Sequence, residues 1–146
     1  MEESTSTTSK VKKEKETYIA VLKIPKIKLE KGLYDLKSAN NNVDKNIQIV
    51  SGSSMPDIKN SNLILASHSG NAKISYFKNL NKLELNDKVS IDYKGNTYNY
   101  SVVNKYEIAK TGQAKIIRNK NTNTLTLITC VHNTDKQLIV ICDMDK

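Results

Sequence analysis

Thr124-Leu-Thr-Leu-Ile-Thr-Cys130 decides the reading of this 146-residue chain. The stretch alternates polar and apolar residues with a period of two, as a half-buried β-strand does, and it ends on a cysteine. A second run, Asn62-Leu-Ile-Leu-Ala-Ser-His68, is strand-like in the same way and ends on a histidine. The chain holds only two cysteines and two histidines. A thiol and an imidazole, each carried to the end of a strand, are the minimum parts for nucleophilic catalysis by cysteine.

Working outward, the remaining signals are mostly β. Tyr18–Ile24 reads as a strand closed by Pro25, and Lys26–Tyr34 as a weaker one. Asn40-Asn-Asn42 reads as a loop. Ile47–Gly52 is strand-like and is separated from Asn62–His68 by a loop containing Pro56. Lys88–Tyr93 and Thr97–Ile108 form a hairpin around Lys94-Gly-Asn96, where Gly95 and Asn96 tolerate the positive φ of a tight turn. Gln137–Asp143 pairs with the cysteine strand. Tyr76, Phe77, Leu80 and Leu83 recur at helical intervals, which predicts one short helix over Ile74–Leu83. The apolar runs Leu63-Ile-Leu-Ala and Leu138-Ile-Val-Ile predict central strands buried on both faces. About eight short strands at regular spacing predict an all-β fold, a closed or nearly closed eight-stranded β-barrel with one or two short helices.

Composition bounds the rest. Hydrophobic residues make up 38% of the chain, with one Phe, seven Tyr and no Trp, so Ile, Leu, Val and Tyr must fill the core. Residues 1–17 are polar and carry four Lys and four Glu; they read as a flexible tail, leaving 18–146 as the folded domain. The net charge of +8 therefore belongs to the domain. It suits a solvated Lys-rich surface or a site beside anionic polymers, and Arg118 is the only arginine, which disfavours bidentate phosphate or base readout. No apolar run of 18 residues or signal-peptide core is present. Cys130 and Cys142 are expected to be free thiols. A hairpin centred near Thr134 and Asp135 would set Cys130 opposite Ile139 or so and leave Cys142 out of register.

Four motifs in one order carry a family resemblance. Leu125-Thr-Leu-Ile-Thr-Cys130 resembles the Thr-Leu-x-Thr-Cys signature of sortases, the cysteine transpeptidases of Gram-positive cell surfaces. Ile24-Pro-Lys-Ile27 resembles the opening of their barrel. Leu65-Ala-Ser-His-Ser-Gly70 resembles the segment around their histidine, with Ser67-His68 where Gly-His is usual. Phe77–Val89 resembles the stretch that follows. The similarity spans roughly Tyr18 to Met144.

The resemblance implies a sortase-like barrel in which Cys130 attacks a peptide carbonyl and His68 protonates the leaving amine. A second amine then resolves the thioester. It implies a Leu-Pro-x-Thr-Gly-type sorting signal as donor and a cell-wall or pilin amine as acceptor. It also implies the extracellular face of the cell membrane or the cell surface as the place of work. The membrane tether usual in the family is absent here, so the chain is expected to be a soluble extracellular portion. No nucleic-acid partner is implied, and a monomer is the default. Thr129 and Ser67 become candidates for substrate contact. His68 stands 62 positions before Cys130 (130 minus 68), and that short interval suits the compact class A, D or E types rather than class B.

The chain departs from the family at one place. Sortases carry an arginine early in the last strand, where it stabilises the oxyanion. Here Gln137 aligns with it, or Lys136 if the register shifts by one; Arg118 stands upstream, before the cysteine strand. Gln donates a hydrogen bond without charge, and Lys supplies charge without the planar fork. His132, two residues past Cys130, competes as partner of the thiol but is expected in an exposed loop, and Cys142 is expected to serve packing alone. No metal or cofactor is expected: zinc-ligand spacing is absent, and the loop before the histidine strand offers only Asp57 toward calcium. The alternative from another class is a catalytically weak barrel that binds a cell-surface ligand or, more remotely, single-stranded nucleic acid through its tyrosines.

Overall fold

The computed structural model describes residues 17–110, 115–131 and 133–146. The expected tail and His132 lie outside them, except for Thr17. Eight strands form one sheet: β1 Ala20–Ile24, β2 Leu29–Leu33, β3 Gln48–Ile49, β4 Asn62–Ala66, β5 Lys88–Tyr93, β6 Asn96–Ala109, β7 Thr124–Cys130 and β8 Lys136–Met144. Their order is β2-β1-β5-β6-β8-β7-β4-β3. β4 and β7 run parallel, and every other neighbouring pair is antiparallel. The sheet curls into a nearly closed barrel, the all-β architecture that the pattern predicts. Its two edges, β2 and β3, are joined by a side chain: the buried Asn46 donates from Nδ2 to the Gly32 carbonyl at 2.8 Å.

The interior is built from one parity of each strand. Leu22, Ile24, Leu63, Leu65, Ile91, Leu125 and Leu127 are fully buried there, with Tyr100 and Val140. Each such aliphatic side chain contributes roughly 1.5–3 kcal/mol by leaving water. The opposite parity makes a second, smaller cluster on the outer face: Ile64, Ile128, Ile139 and Ile141, with Tyr106, Ile108 and Ile116 packed against them.

β7 departs from the half-buried expectation for this reason. Its residues Thr124 to Thr129 are all buried, because the outer face is covered as well. The alternation in the sequence changes phase at Ile128, while the ladder to β8 continues without a break. An isoleucine is thereby set outside and a threonine inside.

β6 supplies the outer cluster by a bulge. Its register against β8 shifts between Val102 and Asn104. One extra residue reverses side-chain parity. Tyr100 and Val102 fill the interior, whereas Tyr106 and Ile108 past the bulge lie outside. The Tyr106 hydroxyl donates to the Lys115 carbonyl at 2.7 Å and accepts from the Ile117 amide at 2.9 Å. The connection to β7 is thus strapped over the outer face.

Two local expectations are corrected. The segment 74–83 forms no α-helix; it is a run of turns ending in a 3-10 turn, Leu80–Lys82, and a second 3-10 turn covers Pro25–Ile27. Phe77, Leu80 and Leu83 are still fully buried, and Lys105 Nζ donates to the Asn81 and Leu83 carbonyls at 2.8 Å each. An apolar side chain every third or fourth residue suits turns over a core as well as a helix. The β5–β6 turn is centred on Lys94 (φ 50°) and Gly95 (φ 82°), not on Gly95 and Asn96. Asn96 already pairs with Tyr93. Two consecutive positive φ values give the type I′ twist that a two-residue hairpin loop favours.

Candidate functional site

Side by side, β4 and β7 carry His68 and Cys130 to the same end of the barrel. The ladder runs Asn62 against Thr124 through Ala66 against Ile128. His68 and Cys130 each stand two residues beyond the last pair of that ladder. Pairing persists past the formal end of β4, since the Ser67 amide donates to the Ile128 carbonyl at 3.2 Å. Parity sets the face. Ile64 and Ala66 precede His68 on the outer side, and Ile128 precedes Cys130 on that side. Both functional groups therefore stand at the open end of the apolar floor that Ile64, Ile128 and Ile139 form. Cys130 is partly exposed, and the His68 side chain is 39% exposed. The ring nitrogen Nε2 lies 2.9 Å from Asp44 Oδ1.

The third position comes from β8. Cys130 pairs with Gln137 across the antiparallel ladder, not with Ile139, because the turn between the strands is tighter than the sequence suggested. Directly paired residues point to one face. Gln137 therefore shares the outer face with Cys130 and, on its other side, with Ile108 of β6. Lys136 is exposed, pairs with Ala109, and takes the opposite parity. Arg118 is far from all of this. Its Nε donates to Thr124 Oγ1 at 3.0 Å, and one terminal nitrogen donates to the carbonyls of Asn60, Ser61 and Thr122 at 2.9–3.2 Å. It anchors the other end of β7, about 20 Å from Cys130 at strand rise.

Ser67 and Thr129 occupy the inner parity. They are 4% and 5% exposed. The Thr129 hydroxyl donates to the Ser67 carbonyl at 2.7 Å, and the Ser67 hydroxyl donates to Ile74 O at 3.3 Å. With both hydroxyl hydrogens engaged inside, the two side chains hold the β4–β7 seam. Ser69 adds a further tie, its hydroxyl donating to the Cys130 carbonyl at 2.6 Å. A cleft of about 250 Å³ opens at the barrel mouth, with Cys130, Thr129, Leu138, Glu107 and Phe77 among its lining residues. Leu138 and Thr129 reach it from the inner parity, so this cleft meets Cys130 from the barrel side, and His68 takes no part in it.

The two thiols are both free and differ in kind. Cys142 is sealed in the interior opposite Leu125, and burial first, then the nearby Asp143 charge, pushes its thiol far above the usual value. It is a packing residue. Among the described residues no group of three or more His, Cys, Asp or Glu side chains is placed to hold a metal ion. No helix among them is long and apolar enough to cross a membrane. Asp44 is the site residue that the sequence reading missed. It lies 24 positions before His68 in an asparagine-rich stretch, and nothing in the local pattern marks it.

Comparison with known proteins agrees with this fold. Residues 22–145 match the model of the sortase domain. Among solved structures, a lid mutant of sortase A from Corynebacterium diphtheriae superposes with a TM-score of 0.78 at 22% identity, over 89% of this chain and 71% of that one. Sortase C1 from Streptococcus agalactiae gives 0.75 at 24% identity, over 88% and 68%. A Clostridium perfringens sortase D5 transpeptidase gives 0.74 at 21% identity, over 88% and 79%. Against another sortase A structure from Corynebacterium diphtheriae, this chain spans 62% of the partner's length. No curated protein matches by sequence. The chain belongs to the sortase family, a family of cysteine transpeptidases.

Proposed function

We propose that this chain is a cysteine transpeptidase in which Cys130 is the nucleophile and His68 the general acid and base. The Cys130 sulfur attacks the carbonyl of a Leu-Pro-x-Thr-Gly-type sorting signal seated at the cleft beside Cys130. His68 delivers a proton to the departing amine, and the acyl group stays on sulfur as a thioester. A primary amine of the cell wall or of a pilin subunit then attacks the thioester, passes a proton to His68, and releases the thiol. The work is done at the cell surface. Gln137 donates its amide hydrogen to the carbonyl oxygen as charge develops there, in the place where the family uses arginine.

One observation carries this reading: the register that pairs Ala66 with Ile128, two residues before His68 and Cys130, and sets Gln137 directly across from Cys130. The uncharged Gln137 favours a slow enzyme, because losing a strong oxyanion donor costs about 10²–10³ in rate.

The test is cleavage of a signal peptide with and without an added primary amine, followed by mass spectrometry. The wild-type chain is expected to give the cleaved peptide and, with amine, the joined product. Cys130→Ala is expected to reduce both to background, and His68→Ala to reduce them by about 10² or more. Full cleavage by Cys130→Ala would sink the reading. Peptide binding with no cleavage by the wild-type chain would instead establish a barrel that only binds.

A further inference from the structure

Among the described residues, the polar contact of the His68 ring comes from a segment far away in sequence, and that segment is built to hold it. Asp44 Oδ1 lies 2.9 Å from His68 Nε2. A carboxylate only accepts, so Nε2 carries the hydrogen of this bond and donates it. In the neutral ring Nδ1 is then left with its lone pair. An imidazole without such a tie turns readily about its last torsion, which exchanges nitrogen and carbon positions.

The stretch from Asn41 to Gln48 fixes Asp44 from both sides. Asn41 pairs with Ile49 as a strand residue would: its Oδ1 accepts from the Ile49 amide at 2.6 Å, and its Nδ2 donates to the Ile49 carbonyl at 2.9 Å. The Asn42 side chain accepts from the Asp44 amide at 2.8 Å, an Asx turn at the residue in question. The Asn42 carbonyl accepts from the amides of Lys45 and Asn46 at 2.9 and 2.8 Å. Gln48 Oε1 accepts from the Val43 amide at 3.0 Å. Asn46, 1% exposed, reaches across to Gly32 on β2. The asparagine run is therefore a platform, with the Asp44 carboxylate at its free corner.

We propose that Asp44 is the positioning residue of His68. It holds the ring in the Nε2–H tautomer, so that Nδ1 takes the proton from Cys130 and returns it to the leaving amine, and its negative charge faces the imidazolium that forms in between. This inference rests on the proposed roles of Cys130 and His68. It makes the site a thiol–imidazole–carboxylate series assembled from β7, the end of β4 and the connection before β3. The logic is that of any nucleophile–base pair whose base is oriented by a third group.

Two measurements test it on the full chain. The first is ¹⁵N NMR of the two histidine rings, with His68→Gln assigning the signals. In its neutral form the wild-type His68 ring is expected to carry its hydrogen on Nε2, and Asp44→Ala to show a mixture of both tautomers. The second is steady-state peptide cleavage. Asp44→Ala is expected to lower kcat about three- to fivefold with KM unchanged, as befits an exposed pair, and Asp44→Glu to recover part of the loss. A wild-type ring with its hydrogen on Nδ1, or an Asp44→Ala variant with the wild-type tautomer and kcat, would overturn the proposal. Those outcomes are separate from failure of the catalytic reading, which shows instead as cleavage surviving Cys130→Ala. If the chain cleaves no peptide, the ring tautomer and its response to Asp44→Ala still decide the question.

Discussion

The two ends of the parallel β4–β7 ladder are made of the same kinds of residue and do opposite things. At one end Arg118 gives hydrogen bonds to Thr124 and to three backbone carbonyls, and Thr126 and Asn62 join at 2.8 Å. The guanidinium there is engaged internally. At the other end Cys130, His68 and Gln137 face outward past the apolar floor, and the internal ties are made by Thr129, Ser67 and Ser69 on the parity behind them. The lesson is that the sole arginine of a sortase-family chain is placed for stability, while the position across from Cys130 has a neutral amide. A strong donor fixed by four acceptors cannot also serve a carbonyl about 20 Å away.

The comparison can be broken at several points. The largest effect is expected from thiol chemistry. In the native protein Cys130 is expected to react with an alkylating reagent at least about 10³ times faster than Cys142, whose exposure requires opening of the core. Peptide mapping after timed alkylation reads the ratio, and equal rates would mean that the interior is open. Next, Gln137→Arg moves a charged fork to the chemical end. Turnover of a signal peptide is expected to rise by about 10²; no gain would show that position 137 does not face the developing oxyanion.

Arg118→Ala strips the closed end. It is expected to lower unfolding free energy by about 2–3 kcal/mol in denaturant titration, since charged donors leave buried carbonyls unpaired, with turnover per folded molecule unchanged. A large loss of turnover at full stability would erase the distinction between the ends. The smallest effect is expected at the seam: Thr129→Val removes one buried hydroxyl bond and should cost about 1 kcal/mol. Should it instead raise KM for peptide while stability holds, Thr129 would be a substrate contact after all.

Much of this was legible in the chain. The period-two runs located seven of the strands to within a few residues, and β7 was read with its observed bounds. β3 proved shorter than its apolar run, because only Gln48 and Ile49 pair with β4. The strand-ending cysteine and histidine were visible because each closes an apolar run that must lie in the sheet. The segment 74–83 was misread because its apolar spacing reports contact with a core, not the winding that achieves it. The hairpin between β7 and β8 was placed two residues off at Cys130, because turn length is set by local φ, with Asn133 at 63°. That error mattered, since it hid which residue stands across from the sulfur.

Asp44 was the least legible. Sequence marks an asparagine run as loop, and the loop's purpose depends on which side chain it holds against another element.

By itself the sequence determined the barrel, the family and the two residues proposed here for catalysis, because side-chain alternation and strand ends are local properties. Only the tertiary structure decided their surroundings. It set Gln137 rather than Lys136 across from Cys130, committed Arg118 to the far end of β7, turned Ser67 and Thr129 inward, and brought Asp44 to His68. Each of these is a matter of register between segments distant in the chain, and register is fixed by the packing of both sheet faces at once.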